Sequence, residues 1–158
     1  MSDFMFGGSA LTLDISAVNK SGGAVKNGDI LQISLLNSDG ADGRIAVTPV
    51  LSNGGISQLA PMGVVQAPTG LEISNGDSCI LRMVGRCDVL GQASTTYTQD
   101  EVVQAKTAVK TLDATKVTLN TSGFQQQITL GRLRGVVLTT VTTTTKGELV
   151  DCWISGLP

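Results

Sequence analysis

The sequence predicts a mainly β protein: a small β-barrel or β-sandwich of antiparallel strands with one short amphipathic helix. First, the tripeptide Asn-Gly-Asp occurs at residues 27–29 and 75–77, each time before a run of alternating apolar residues. Asn and Gly tolerate the positive φ that tight turns between antiparallel strands require. Second, 41% of the residues are hydrophobic but only 3% are aromatic, so a core of Val, Ile, Leu and Ala is expected, which suits pleated sheet. Third, helical periodicity is confined to one segment.

Residues 1–24 are predicted to form an extended N-terminal arm, and residues 25–158 a single β domain. The arm shows no strong period, and its large apolar side chains are Phe4, Met5 and Phe6. Large apolar groups on a glycine-hinged terminus usually need a partner surface, so these residues are candidates for contact with another subunit. The alternative is a first strand of the barrel, because three apolar residues alternate further along: Leu11, Leu13 and Ile15.

Strand signals fill most of the domain. Residues 26–50 predict a hairpin with a long polar loop, and the segment from Ala60 to Val65 leads towards the second Asn-Gly-Asp turn. The second Asn-Gly-Asp turn leads into a strand that ends at Met83, followed by another strand segment, Val84–Val89. Gly85, between these two segments, marks a bulge or a close approach of backbone.

One amphipathic helix is predicted from about Gln99 to Leu112. Thr98 and Glu101 have the spacing of a capping box, in which the two residues satisfy each other's backbone N–H groups. Apolar residues then recur at helical spacing: Val102, Ala105, Val109 and Leu112. We expect this helix to cover an open end or face of the barrel. Strand signals resume at Lys116 and continue to Trp153.

Composition argues against catalysis and against several kinds of partner. The chain has no histidine, which excludes Ser-His and Cys-His nucleophile pairs and His-rich zinc sites. Its formal net charge of −2 gives no basic field for a nucleic-acid backbone, and no apolar stretch approaches the roughly 20 residues that cross a bilayer. We expect no enzymatic activity, cofactor or metal, and no nucleic-acid or membrane partner. An enzyme that uses carboxylates alone is the catalytic alternative, with candidates Asp77, Asp88, Asp100 and Glu101.

The three cysteines, Cys79, Cys87 and Cys152, form no C-x-x-C motif. They are expected to be reduced, buried, small apolar residues of a protein made in a reducing cytosol. One disulfide with one free thiol is the alternative.

The order of motifs between residues 62 and 89 resembles that of a known family. Gly63-Val64-Val65 is followed by a short spacer, the Gly76-Asp77 turn, a strand, Gly85 and a short strand. That order is similar to the small β-barrel capsid cement, or head decoration, proteins of tailed bacteriophages. An earlier Gly-Asp turn before a strand, here Gly28-Asp29, belongs to the same pattern, and the match covers about Val25 to Val89.

The resemblance implies a structural virion protein on the capsid exterior, synthesised in the cytoplasm of a bacterial host. Such a protein binds the major capsid protein as a homotrimer and locks neighbouring capsid subunits together. Candidate capsid or subunit interface residues are Phe4, Met5, Phe6 and Trp153. One alternative is a β-barrel module for a carbohydrate or small ligand, with Trp153 and Tyr97 as its aromatic platforms. Another is a different virion part, such as a tail or neck subunit.

Overall fold

A computed structural model describes residues 11–34, 45–49, 61–105, 119–120, 133–145 and 148–157. Within these ranges the regular secondary structure consists of β-strands, which confirms the mainly β class. The strands are β1 (Leu13–Asn19), β2 (Val25–Lys26), β3 (Ile30–Ile33), β4 (Ala46–Pro49), β5 (Met62–Gln66), β6 (Glu72–Ile73), β7 (Ser78–Leu90), β8 (Thr96–Tyr97), β9 (Val102–Ala105), β10 (Leu119–Asn120), β11 (Arg134–Val137), β12 (Val141–Thr142) and β13 (Leu149–Ser155).

Five of these strands close into a barrel. β1 pairs in parallel with β4 and antiparallel with β7, while β3 pairs antiparallel with both β4 and β5, and β5 pairs antiparallel with β7. Because each strand of the ring has two neighbours, the ring has no free edge strand. Small and medium-sized apolar side chains pack together to form the barrel cluster: Ala17, Val25, Leu31, Val47, Val65, Cys79, Leu81 and Met83.

β7 is long enough to leave the barrel and begin a second sheet. Its first part, Ser78–Val84, pairs with β1, and its last part, Val84–Leu90, pairs with β13. β11, β9 and β10 follow β13 in antiparallel order, and we call these four strands the extension sheet. Its side chains form the second cluster together with residues of the barrel strands: Ile30, Met62, Val64, Cys87, Val89, Tyr97, Val103, Leu133, Val137, Val150, Cys152 and Ile154.

β3 and β5 are covered on both faces. The neighbouring residues Val64 and Val65 belong to different clusters, as do Ile30 and Leu31. Successive side chains of a strand point to opposite faces, so each of these strands separates the two clusters. This double burial explains why Met62–Val65 is continuously apolar instead of alternating with polar residues.

The two Asn-Gly-Asp turns have the same geometry. In each turn the Asp N–H donates to the carbonyl three residues earlier, at 3.1 Å in both copies. Gly28 and Gly76 have φ of 91° and 96°, a region that glycine enters without steric cost. The strands before the turns, β2 and β6, pair with each other in antiparallel orientation. The repeated signal in the sequence therefore marks a repeated structural unit.

The helix predicted from Gln99 to Leu112 is wrong over its first half, because Val102–Ala105 is strand β9. The rest of the predicted helix lies outside the described residues. Part of the predicted cap is present, since the Glu101 carboxylate accepts a hydrogen bond from the Thr98 N–H at 3.0 Å. Asp100, however, has φ of 68°, the left-handed region, which prevents the turn from continuing as a right-handed helix.

β1 shows that the arm predicted for residues 1–24 does not apply to Leu13–Asn19, which is a barrel strand as in the alternative. Met1–Ala10, with Phe4, Met5 and Phe6, lie outside the described residues. The described ranges contain no helix of the length and apolarity that crossing a membrane requires.

All three cysteines are buried and free, as predicted. Cys79 belongs to the barrel cluster, while Cys87 and Cys152 lie directly opposite each other in the second cluster. Burial raises the pKa of the Cys79 thiol to about 11 and those of Cys87 and Cys152 to about 12. The thiols therefore remain protonated near neutral pH.

Candidate interaction surface

A surface that carries apolar, basic and acidic side chains runs along β7. Alternate side chains of this strand are buried, and those between them are exposed or partly exposed. We call the second set the β7 outer face: Ile80, Arg82, Val84, Arg86 and Asp88. β1 borders one side of the strand, and β5 and then β13 border the other, because Arg82 pairs with both β1 and β5 and Val84 with both β1 and β13.

The β1 side of this face carries exposed apolar residues beside the Asp14 carboxylate. Leu13 pairs with Val84, but the next residue, Asp14, pairs with Arg82, so the register shifts there. This irregularity places two consecutive β1 residues on the outer side, which explains why both are exposed. Leu11, Leu13 and Ile80 are between 42% and 51% exposed. Together with Val84, we call these residues the barrel-wall patch.

Two arginines of the outer face bind carboxylates on opposite sides of β7. Arg82 donates through Nε and Nη2 to the Asp14 carboxylate on β1, at 2.8 and 2.9 Å. Arg86 donates through Nε and Nη2 to the Asp151 carboxylate on β13, at 3.0 and 2.7 Å. These two-bond contacts raise the pKa of each guanidinium above its ordinary value. These ion pairs therefore connect β7 to β1 and to β13.

A polar groove opens on the other side of β7. Its volume is about 380 Å³, and its lining residues are Asn27, Gln66, Arg82, Arg86, Cys87, Asp88 and Asp151. The first Asn-Gly-Asp turn positions Asn27, whose side-chain oxygen accepts a hydrogen bond from the Ala67 N–H at 3.1 Å. The end of β5 supplies Gln66, and β7 and β13 supply the charged residues. The groove therefore forms where the barrel meets the extension sheet.

Trp153 is a strand neighbour of the groove-lining Arg86 and does not itself line the groove. It lies directly opposite Arg86 on β7 and Val136 on β11, and it follows Asp151 on the same face of β13. Its side chain is 38% exposed, so part of the indole is available for contact. Trp153 is the one predicted interface residue that the structure describes.

Tyr97, the second aromatic platform of the carbohydrate alternative, is buried in the second cluster. Its hydroxyl accepts a hydrogen bond from the Gln92 N–H at 2.8 Å. A buried ring cannot stack on a ligand from solvent, so that part of the alternative is wrong. Tyr97 was a candidate because the chain has few aromatic residues to serve as platforms, and nothing in the local sequence showed that its side chain is buried.

The candidate carboxylates of the catalytic alternative occupy separate places. Asp88 is the one among them that lines the groove. Asp77 belongs to the turn before β7, and Glu101 is bonded to Thr98 in the turn before β9. Among the described residues, no group of three or more Cys, Asp or Glu side chains is placed to hold a metal ion.

Sequence reasoning missed the two Arg–Asp pairs. The spacing of Arg82 and Arg86 was a usable signal, because residues four apart on a strand share a face. Their partners Asp14 and Asp151 depend on the register of β1 and β13, which local sequence does not specify.

No protein-family model matches this chain, and no curated protein matches it. Among solved structures, the chain is similar to the head fiber gp8.5 N base in bacteriophage phi29, with a TM-score of 0.46 and 16% sequence identity. The alignment covers 91% of this chain and 94% of that chain. At this level of similarity, the function of one chain does not follow from the function of the other.

Proposed function

We propose that this chain is a structural, non-enzymatic virion protein that binds the outer surface of a tailed-phage capsid and cements neighbouring capsid subunits. Its partners are the major capsid protein and two further copies of itself, and it is made in the cytoplasm of the bacterial host. The observation that carries the proposal is the barrel-wall patch on a closed barrel. The order of motifs that resembles the capsid cement proteins supports it from the sequence.

The patch has the composition of a protein-binding surface. Leu13 and Val84 lie opposite each other on one side of the Arg82–Asp14 ion pair, and Ile80 lies on its other side, all on the same sheet face. Exposed apolar groups that lie close together usually mark an interaction site. The ring of barrel strands has no free edge for partner pairing, so a partner contacts this patch through side chains.

Chain continuity gives the patch a second contact element. Leu11, at the end of the patch, directly follows the segment that carries Phe4, Met5 and Phe6. We propose that this apolar segment adds a contact across a boundary between two capsid subunits. Weak contacts of this kind become strong when they are repeated within a trimer, because the second and third contacts are intramolecular.

The first experiment measures the mass of the purified protein by sedimentation at several concentrations, followed by co-sedimentation with expanded capsids of the parent phage. Leu13→Ser combined with Ile80→Ser should weaken capsid binding at least tenfold, because both side chains leave the patch. Leu71→Ser is the matched control, since Leu71 is 50% exposed but lies before β6, away from the β7 outer face. Deletion of residues 1–8 tests the adjoining segment separately.

A trimer that binds capsids, with binding lost in the double variant and kept in the control, supports the proposal. Equal binding by the double variant and the native protein would remove the patch from the mechanism. Binding to isolated tails or necks instead of capsids would assign the chain to another part of the virion.

A further inference from the structure

The groove beside Trp153 presents polar atoms that are not used within the described part of the protein. Gln66 donates through Nε2 to the carbonyls of Val64 and Val65 at 3.1 and 3.3 Å, which leaves its Oε1 as an acceptor. Asn27 accepts through Oδ1, which leaves its Nδ2 as a donor. Both side chains are therefore fixed by backbone contacts while one end of each amide remains available.

The charged lining residues add one donor and one acceptor. Arg86 binds Asp151 through Nε and Nη2, which leaves Nη1 without a partner among the described residues. The Asp88 carboxylate likewise has no hydrogen-bond partner within the described ranges, and it lies directly opposite Asp151 on the neighbouring strand. All three nitrogens of the Arg82 guanidinium donate within the protein, since Nη1 donates to the Arg86 carbonyl at 2.6 Å in addition to the two bonds to Asp14.

The free atoms are thus two donors, Asn27 Nδ2 and Arg86 Nη1, and two acceptors, Gln66 Oε1 and the Asp88 carboxylate. The lining carries two arginines and two aspartates, so neither an anion nor a cation meets a matching excess of charge. A ligand with several hydroxyl groups fits this arrangement, because each hydroxyl both donates and accepts. A volume of about 380 Å³ is within the usual range for small-ligand sites.

Trp153 supplies the apolar contact that such a ligand needs. A sugar ring has hydroxyl edges and a face of C–H groups, and that face packs on an aromatic ring. The partly exposed Trp153 lies on the same sheet face as Arg86 and Asp151, so a ring bound on it would lie next to these two groove-lining residues.

We propose that this groove binds a neutral saccharide, with Trp153 as the stacking platform and Asn27, Gln66, Arg86 and Asp88 as hydrogen-bonding residues. The groove adjoins the barrel-wall patch on the β7 outer face, since Arg82 lines the groove and pairs with Asp14 among the patch residues. The patch extends towards β1 and the groove towards β5 and β13, so the residues that hold the saccharide differ from those of the patch.

The full chain contains a single tryptophan, so its fluorescence reports directly on the site. The purified protein is titrated with neutral oligosaccharides of glucose, galactose, mannose and N-acetylglucosamine, and with a glucuronate oligosaccharide as the anionic comparison. We expect a saturable change with at least one neutral oligosaccharide and a weaker response to the glucuronate oligosaccharide. Asp88→Ala should lower the affinity at least tenfold, which corresponds to about 1.4 kcal/mol.

Glu72→Ala is the matched control, because Glu72 is also an exposed carboxylate on a strand but lies on β6, outside the groove. It should bind as the native protein does. Trp153→Phe, followed by calorimetry, should bind more weakly while the protein remains folded. The proposal is overturned if no neutral oligosaccharide gives a saturable change, if the glucuronate oligosaccharide binds best, or if Asp88→Ala binds with native affinity. Capsid binding is measured on other variants, so either proposal can fail alone.

Discussion

The barrel and the extension sheet share β7, but they depend on each other unequally. The barrel cluster consists of residues between Ala17 and Met83, all supplied by the barrel strands and the adjoining β2. The second cluster, by contrast, takes Ile30, Met62 and Val64 from the outward sides of β3 and β5. The extension sheet therefore needs the barrel to complete its core, whereas the barrel cluster is complete without it. This difference shows that a closed barrel can supply the apolar surface against which a second sheet packs.

Gly156 joins the two regions, and changing it should have the largest effect. Its N–H donates to the Met83 carbonyl at 2.7 Å, and its carbonyl accepts from the Met62 N–H at 2.9 Å. A Cβ at this position would overlap the Met62 carbonyl group, a collision with backbone that no side-chain movement relieves. Gly156→Ala should lower the free energy of unfolding by at least about 3 kcal/mol, measured by chemical denaturation.

Hydrogen exchange on the same variant tests the unequal dependence. Exchange should accelerate in β13 and β11 while β1 and β3 retain their protection. Equal loss in both regions would contradict the comparison and show one cooperative unit. Gly23→Ala is the control, because nothing lies within 4 Å of a Cβ there, and its stability should change by less than about 0.5 kcal/mol.

The buried thiols give a second test, of intermediate size. In all three cysteines the folded-state pKa is raised above the ordinary value of 9.0, to about 11 for Cys79 and about 12 for Cys87 and Cys152, because burial disfavours the thiolate. Their contribution to stability is complete below pH 9 and declines as the pH rises towards 11 to 12. Between pH 8 and pH 9.5 the free energy of unfolding should fall by about 2 kcal/mol in total.

Replacing all three cysteines with Ala should remove this pH-dependent part, whatever its constant cost in packing. The comparison is sharpened by variants that remove Cys79 alone, or Cys87 and Cys152 together. If the two regions unfold together, the pH dependence removed by the Cys79 variant and that removed by the Cys87/Cys152 variant should add up to the pH dependence removed by the triple variant. If the extension sheet opens first, the Cys87/Cys152 variant should remove the pH dependence of hydrogen exchange in β13. An unchanged slope in the triple variant would show that other groups cause it.

The sequence predicted the barrel better than the extension sheet, for a physical reason. The barrel begins at turns with a strong local signal, since Gly28 and Gly76 both adopt the positive φ that the sequence indicated. β9 had no such signal, because its residues fit a helical period and the strand forms by pairing with β11, far away in the chain. Tertiary pairing overrides local propensity when β-branched residues such as Val102 and Val103 find a partner strand.

The candidate surfaces were predicted only in part. Trp153 was identifiable because a single tryptophan in a chain of low aromatic content stands out. The groove was not identifiable, because it requires Asn27 and Gln66 to meet residues of β7 and β13. Contacts between segments this distant depend on the register of strand pairing. A single irregularity, such as the shift between Leu13 and Asp14, changes that register for every later residue of the strand.

The two Arg–Asp pairs provide the smallest and most direct comparison, since one lies on the barrel and the other on the extension sheet. The side chains of Arg82 and Asp14 are 21% and 35% exposed, whereas that of Arg86 is 68% exposed. Water screens the second pair more strongly, so Arg82→Gln should destabilise the protein by up to about 1 kcal/mol, and Arg86→Gln should have no measurable effect. Double-mutant cycles with Asp14→Asn and Asp151→Asn, measured at low and high salt, separate each pair from its surroundings. A larger coupling at Arg86 would mean that the extension sheet, and not the barrel, relies on its ion pair.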